Sequence, residues 1–266
     1  MKVLCLHGKG TSGAIFKSQT ASFRSHLKDL HIDFDFIDGR YPSTAAAGID
    51  LFYPAPYYSF LEDDSPEAIQ KTCIWLKGLI AERGPYDAVM MFSQGCALGT
   101  AMLLLHQAQD PTQPPPFKAA IFICGGPPLK LIESIGFEVS DAVKERDRAG
   151  REALAMQAHS ASILARGSAR WIGDASAGGA VDEEDLRGEI RAPFKVRIPT
   201  VHVYGSKDPR YAAGVQLSGI CEPGKRRLFD HGGGHEIPRT DRVSRTIAEL
   251  VRWVLLEAGA EEVFGW

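Results

Sequence analysis

Six short strand-like runs, most followed by a helix-compatible stretch, constrain this chain more than any other feature. They are KVLCLHG, HIDFDFIDG, YDAVMMF, FKAAIFICGG, PTVHVYG and KRRLFDHGG. A strand with one wet face alternates apolar and polar residues, as HIDFDFIDG does, but AVMMF and AAIFI are apolar throughout. Strands of that second kind are buried on both faces, which requires helices on both sides of a mostly parallel sheet. Suitable helices lie between them. SPEAIQKTCIWLKGLIAERG has Ser65 as N-cap, Pro66 at the first helical position and Gly84 at its end. SQTASFRSHLKDL, Gln94 to Gln109 and DRVSRTIAELVRWVLLEAG have helical patterning as well. The expectation is one doubly wound α/β domain over residues 1–266, with its reactive groups at the carboxyl ends of the strands.

One region breaks the rhythm. Between Pro127 and Phe194 no strand is expected; VSDAVKERDRAGREALAMQAHSASILARG is helical and charged, and DASAGGAVDEEDLRGE is an acidic loop. Residues 127–194 therefore read as a helical insertion, either a crossover helix with a surface excursion or a cap over the site.

Composition excludes several classes. The formal charge of −3 offers no attraction to nucleic acid or an anionic membrane surface. No apolar run approaches the roughly 18–20 residues of a membrane span. The apolar part of MKVLCLHGKG is too short for a secretory signal. Cys5, Cys73, Cys96, Cys124 and Cys221 are scattered and odd in number, which suits reduced thiols in the cytoplasm and gives no metal-ligand spacing. No cofactor is expected.

Within AVMMFSQGCALGTAML a serine and a glycine interrupt the apolar run at a strand–helix seam. This is where a nucleophile elbow, G-x-S-x-G, lifts its serine above a sheet edge. Ser93 and Gly95 fit, whereas Met91 stands where the first glycine would be. The small residues Ala97, Gly99 and Ala101 keep part of the next helix thin. A capping serine would explain SQG alone equally well, so the partners decide. A serine hydroxyl needs a base in hydrogen-bond reach and a carboxylate to orient that base. Asp208, in VYGSKDPR, and His235, in FDHGGGHEIPR, each follow a strand end, in the chain order Ser, Asp, His.

Other histidines fit less well. His231 sits at the strand end, where it supports or underlies the loop; His202 lies inside a strand; His31, His106 and His159 belong to surface elements. Acyl transfer also needs donors for the tetrahedral oxyanion. The backbone N–H groups of Gln94, after the nucleophile, and Lys9, in LHGKGTSG, are the candidates. That glycine loop lacks the GxxxxGK[ST] order of a phosphate cradle. A cysteine nucleophile ranks lower, because Cys96 falls inside a buried helix and Cys124 has no recognisable base in the sequence.

MKVLCLHGKGTSGAIFKSQ, FSQG, GSKDP and GGGHEIPR together resemble the fungal serine hydrolase family, an α/β-hydrolase group of the esterase/thioesterase superfamily. The resemblance runs along essentially the whole chain and includes PYYSFLEDD. It implies Ser93 as nucleophile, Asp208 as orienting acid and His235 as general base, with glycine usual where Met91 stands. It also implies an esterase, or a thioesterase of the branch that releases polyketide chains from an acyl carrier protein. A small-molecule carboxylesterase is the main alternative, and a non-catalytic hydrolase fold a more distant one. For an acyl pocket, DLFYPAPYYSFL is a candidate wall, or else a loop packed on the core.

Overall fold

All six runs enter one sheet. The computed structural model describes residues 1–156 and 182–264. Its strands are β1 (Lys2–Leu6), β2 (Asp33–Ile37), β3 (Tyr41–Ser43), β4 (Tyr57–Ser59), β5 (Ala88–Phe92), β6 (Ala119–Ile123), β7 (Glu138–Val139), β8 (Ile190–Arg191), β9 (Thr200–Tyr204) and β10 (Arg226–Asp230). Its helices are α1 (Gly13–Gln19), α2 (Ala21–Arg24), α3 (Pro66–Arg83), α4 (Gln94–Gln109), α5 (Leu129–Ser134), α6 (Asp141–Met156), α7 (Glu183–Gly188), α8 (Tyr211–Gly219) and α9 (Asp241–Phe264). The main sheet has the order β10-β9-β6-β5-β1-β2, and every pairing in it is parallel.

The two faces of the sheet divide the core by the two-residue period of a strand. Leu4, Leu6, Val89, Met91, Ala120 and Phe122 pack with residues of α3, α4 and α5. Val3, Cys5, Met90, Ile121, Ile123, Val201 and Val203 pack on the opposite face with residues of α2 and α9. Every residue of β5, β6 and β9 is buried. Burial of each large apolar side chain there contributes about 1.5–3 kcal/mol, which pins the register of the central strands.

That register sets the site. Leu6 lies beside Met91, Phe92 beside Ile123, Ile123 beside Val203, and Tyr204 beside Asp230. The central strands thus end nearly level, and the connections that leave the neighbours β1 and β5 run in opposite directions, to β2 on one side and to β6 on the other. A crevice at such a switch point is where doubly wound sheets place their ligands.

Local signals are partly obeyed. Ser65 caps α3 by accepting from the Ala68 N–H at 3.2 Å, and Pro66 opens the helix as expected. The segment SQTASFRSHLKDL is not one helix: it spans the end of α1, then α2, then a 3₁₀ turn over Ser25–Leu30. Buried Thr20 stands at the break, its hydroxyl donating to the Phe16 carbonyl at 2.8 Å while its N–H bonds the same oxygen. A hydroxyl that bonds back to the preceding turn competes with helix propagation.

The inserted region also departs from expectation. Residues 157–181 of the expected 127–194 insertion lie outside the described residues, as does His159. In the described part, β7 and β8 form a two-stranded antiparallel ribbon where no strand was expected. Two-residue strands are too short to show a period in sequence. α6 packs against the turn after β9, so closely that a Cβ on Gly150 would lie 2.6 Å from the Pro209 carbonyl oxygen. Among the described residues, no helix is long and apolar enough to cross a membrane.

Candidate active site

Ser93 joins β5 to α4 with φ 52° and ψ −109°, a conformation that L-residues avoid. Such strain costs about 1–3 kcal/mol and persists only where the surroundings impose it. Here they do. The Ser93 N–H donates to the Ile123 carbonyl at 3.0 Å, and the Ser93 carbonyl accepts from the Cys96 N–H at 3.1 Å. A Cβ on Gly95 would come within 2.3 Å of the Leu6 carbonyl oxygen, so the elbow closes onto β1 only with glycine there.

The methionine in the elbow is accommodated by a glycine elsewhere. Met91 is fully buried, and its Sδ lies 2.0 Å from where a Cβ on Gly99 would stand. The thinning of α4 expected from sequence is therefore, at Gly99, the space that Met91 occupies. Gly99→Ala is expected to cost about 1–3 kcal/mol by overpacking, and Met91→Ala about 2–5 kcal/mol by leaving a cavity. In urea denaturation the double variant should lose at least about 1 kcal/mol less than the sum, as coupled neighbours do. Simple additivity would show that the two residues do not share this space.

The three side chains named from sequence meet. Asp208 follows β9 and His235 follows β10. His235 Nδ1 lies 2.7 Å from Asp208 Oδ2, and His235 Nε2 lies 2.9 Å from Ser93 Oγ. The Nδ1–H donates to the carboxylate, which leaves the Nε2 lone pair to accept from the Ser93 hydroxyl. The Asp208 side chain is 2% exposed and that of His235 9%, so bulk water screens their interaction little. The other carboxylate oxygen, Oδ1, accepts from the Arg210 N–H at 2.8 Å. Phe92 lies against the His235 ring, with ring centres 5.3 Å apart.

A buried ion pair that the sequence did not flag supports the turn that carries Asp208. Arg210 donates through Nη2 to Asp147 Oδ1 of α6 at 2.8 Å, and Arg151 donates to Asp147 Oδ2 at 2.6 Å. Burial pushes the Asp147 carboxyl up, but the two guanidinium groups outweigh that and hold it below the usual carboxylate range. The described part of the insertion thus braces the Asp208 turn. Only spatial proximity reveals this, because Asp147 reads in sequence as one charge among many on α6.

The two backbone groups named from sequence lie on the loop after β1 and at the first residue of α4. Neither the Lys9 nor the Gln94 N–H bonds to an acceptor among the described residues. A Cβ on Gly8 would lie 3.3 Å from Ser93 Cβ, which brings the glycine loop beside Ser93. The Gln94 side chain ties the elbow to β4: Oε1 accepts from the Phe60 N–H at 2.9 Å, and Nε2 donates to Ser59 Oγ at 2.9 Å. The β3–β4 hairpin was not expected from sequence.

The aromatic segment has a mixed role. Phe60 is fully buried against His7 and Trp75, with ring centres 4.5 and 6.5 Å apart. Tyr53 hydrogen-bonds at the surface with Ser18 and Arg239, and Phe52 is 71% exposed. The buried end therefore packs the loop on the core.

The competing groups separate by burial. His202 is stacked on Phe122 inside the sheet, and burial brings its pKa down to about 3, so it stays neutral and structural. His231 does underlie the loop: its Nδ1 accepts from the Gly233 N–H at 3.1 Å. Its Nε2 lies 3.7 Å from Cys124 Sγ, so Cys124 does have an imidazole beside it, contrary to expectation. Burial nevertheless holds the Cys124 thiol well above its usual range and pushes Cys96 up to about 12. Neither supplies thiolate at neutral pH. Among the described residues, no cluster of three His, Cys, Asp or Glu could hold a metal ion.

Known proteins resemble this chain in sequence and in fold. The family model described as "Serine hydrolase (FSH1)" matches residues 1–247. "Esterase FPY3" of Fusarium mangiferae is 28% identical, covering 94% of this chain and 97% of its own. "Esterase alnB" of Emericella nidulans is 27% identical over 99% of both. Among solved structures, a carboxylesterase from Mesorhizobium loti superposes with TM-score 0.53 at 12% identity, covering 94% of this chain and 88% of its own. The Bacillus cereus carboxylesterase gives TM-score 0.52 at 11% identity, with 95% and 87% covered. The architecture is that of the α/β-hydrolases.

Proposed function

Because the chain belongs to the serine hydrolase (FSH1) family, an ester-cleaving group, we propose that Ser93, His235 and Asp208 act as its catalytic triad on an acyl thioester or ester. The observation that carries this reading is the continuous chain from Ser93 Oγ through the His235 ring to Asp208, with links of 2.9 and 2.7 Å. Ser93 Oγ attacks the acyl carbonyl carbon while His235 Nε2 takes its proton. Asp208 stabilises the imidazolium, and the Lys9 and Gln94 amides receive the negative oxygen. Collapse expels the thiol or alcohol, which takes the proton from Nε2. Water then attacks the acyl-serine, gives its proton to His235, and the carboxylic acid departs as Ser93 recovers its hydrogen.

The natural acyl donor in this reading is a polyketide or fatty acyl chain carried as a thioester on an acyl carrier protein. The motif resemblance to the polyketide-releasing branch supports it. The five free cysteines, all buried, suit a cytoplasmic enzyme. Incubation with carrier-bound acyl thioesters should give an acyl adduct on Ser93 in intact-mass spectra. The carrier thioester should also exceed the oxygen ester of equal chain length by about tenfold or more in kcat/KM, roughly 1.4 kcal/mol of transition-state preference. Equal or faster hydrolysis of the oxygen ester would favour a carboxylesterase without a carrier partner.

A further inference from the structure

We propose that His7 is a positioning residue that aims the Lys9 amide at the oxyanion, acting as a neutral imidazole with its proton on Nδ1 and with Thr11 as a second anchor. The inference rests on the acyl-hydrolase reading and adds to it the device that sets one of its two backbone donors.

His7 is fully buried immediately after β1. A buried imidazole is a costly residue at a strand end unless both ring nitrogens are satisfied. Both are. The Gly39 N–H donates to Nε2 at 2.9 Å, so that nitrogen must keep its lone pair. Burial lowers the pKa of the ring, which keeps it neutral, and its proton then resides on Nδ1. Nδ1 lies 2.7 Å from the Gly8 carbonyl oxygen and donates to it. The Thr11 hydroxyl donates to the same oxygen at 2.8 Å.

Two donors therefore draw one carbonyl toward the interior. The Gly8–Lys9 bond is not among the cis peptides, so its C=O and N–H point in opposite directions across a rigid plane. Holding the Gly8 oxygen inward turns the Lys9 N–H outward, on the loop that approaches Ser93. Lys9 itself is exposed and its N–H bonds nothing among the described residues. Without the two anchors the glycine would let the plane rotate and bring a carbonyl lone pair to where negative charge develops. The second donor is tied into the same layer: the His7 ring packs on Phe60, whose N–H is held by Gln94 Oε1.

Conservative variants separate positioning from packing. Asparagine can place its amide N–H near the Nδ1 position and keep the bond to Gly8; glutamine reaches the Nε2 position and loses it. Since loss of one oxyanion donor costs about 100- to 1000-fold in turnover, misaiming it in His7→Gln should lower kcat about 10- to 100-fold. KM should stay within about threefold, and affinity for an alkylboronic acid, which forms a tetrahedral adduct on Ser93, should fall in step with kcat. His7→Asn should recover kcat to within about threefold of the parent, and Thr11→Val should show a weaker loss with the same boronate signature. The proposal is overturned if His7→Gln and Thr11→Val keep parental kcat, if they lose kcat with boronate affinity unchanged, or if asparagine falls as far as glutamine. A parent enzyme that neither turns over esters nor binds the boronate would instead remove the hydrolase reading on which the proposal stands.

Discussion

Replacing Ser93 with alanine is expected to lower kcat toward a p-nitrophenyl ester by about 10⁶-fold, the scale on which a triad loses turnover with its nucleophile. The fold should survive, because the elbow is held by the Ser93 backbone bonds to Ile123 and Cys96 and not by the hydroxyl. A glycine at the same position adds a test of the geometry. At φ 52° it removes the steric penalty that serine and alanine both carry. Ser93→Gly should therefore be as inactive as the alanine variant yet more stable by about 1 kcal/mol, about 2–4 °C in Tm for a domain of this size. Turnover above about one per cent of the parent's in either variant would show that another group is the nucleophile, since the expected residue is several orders smaller.

Asp208→Asn is expected to lower kcat by about 10⁴-fold through the wrong histidine tautomer. The local hydrogen bonds dictate the direction of the error. The Arg210 N–H donates to Oδ1, so an asparagine must keep its oxygen there. Its amide nitrogen then faces His235 Nδ1, where Asp208 Oδ2 now accepts. The imidazole can satisfy that donor only by accepting through Nδ1, which moves its proton to Nε2, against Ser93 Oγ. A base already carrying its proton cannot take one from serine. Steady-state turnover and KM should separate this from a binding defect, with KM nearly unchanged. A variant retaining a tenth of parental kcat would mean that the carboxylate does not set the tautomer.

The turn that carries Asp208 also ties α6 to the proposed triad, although α6 supplies none of its three side chains. Asp147 and Arg210 have side chains 10% and 9% exposed, and a partner removed from such a pair leaves a buried charge uncompensated. Because Arg210 also donates the backbone N–H that fixes Asp208 Oδ1, the insertion and the triad are mechanically joined.

The sheet was legible because burial on both faces leaves a mark in one dimension: AVMMF and AAIFI cannot be edge strands or wet hairpins. Elements without that mark were missed. β3, β4, β7 and β8 are two or three residues long and gain their backbone bonds only when their partners arrive from elsewhere in the chain. The elbow was legible through Ser93 and Gly95, but Met91 reads as a departure in sequence because the space for its sulfur is left by Gly99, in the helix that follows.

What the chain alone determined was the set of candidate reacting groups and their order, since strand ends can be located from hydrophobic pattern and the residues just past them named. Tertiary structure decided how those groups are aimed. The Gly8–Lys9 plane, the brace of Asp208 by α6 and the link from Gln94 to β4 depend on hydrogen bonds of 2.7–2.9 Å. Such bonds join residues between one and sixty-three positions apart. Apolar burial acts on each strand separately and so can be read locally, whereas a hydrogen bond requires two particular atoms to meet, and only the folded chain brings them together.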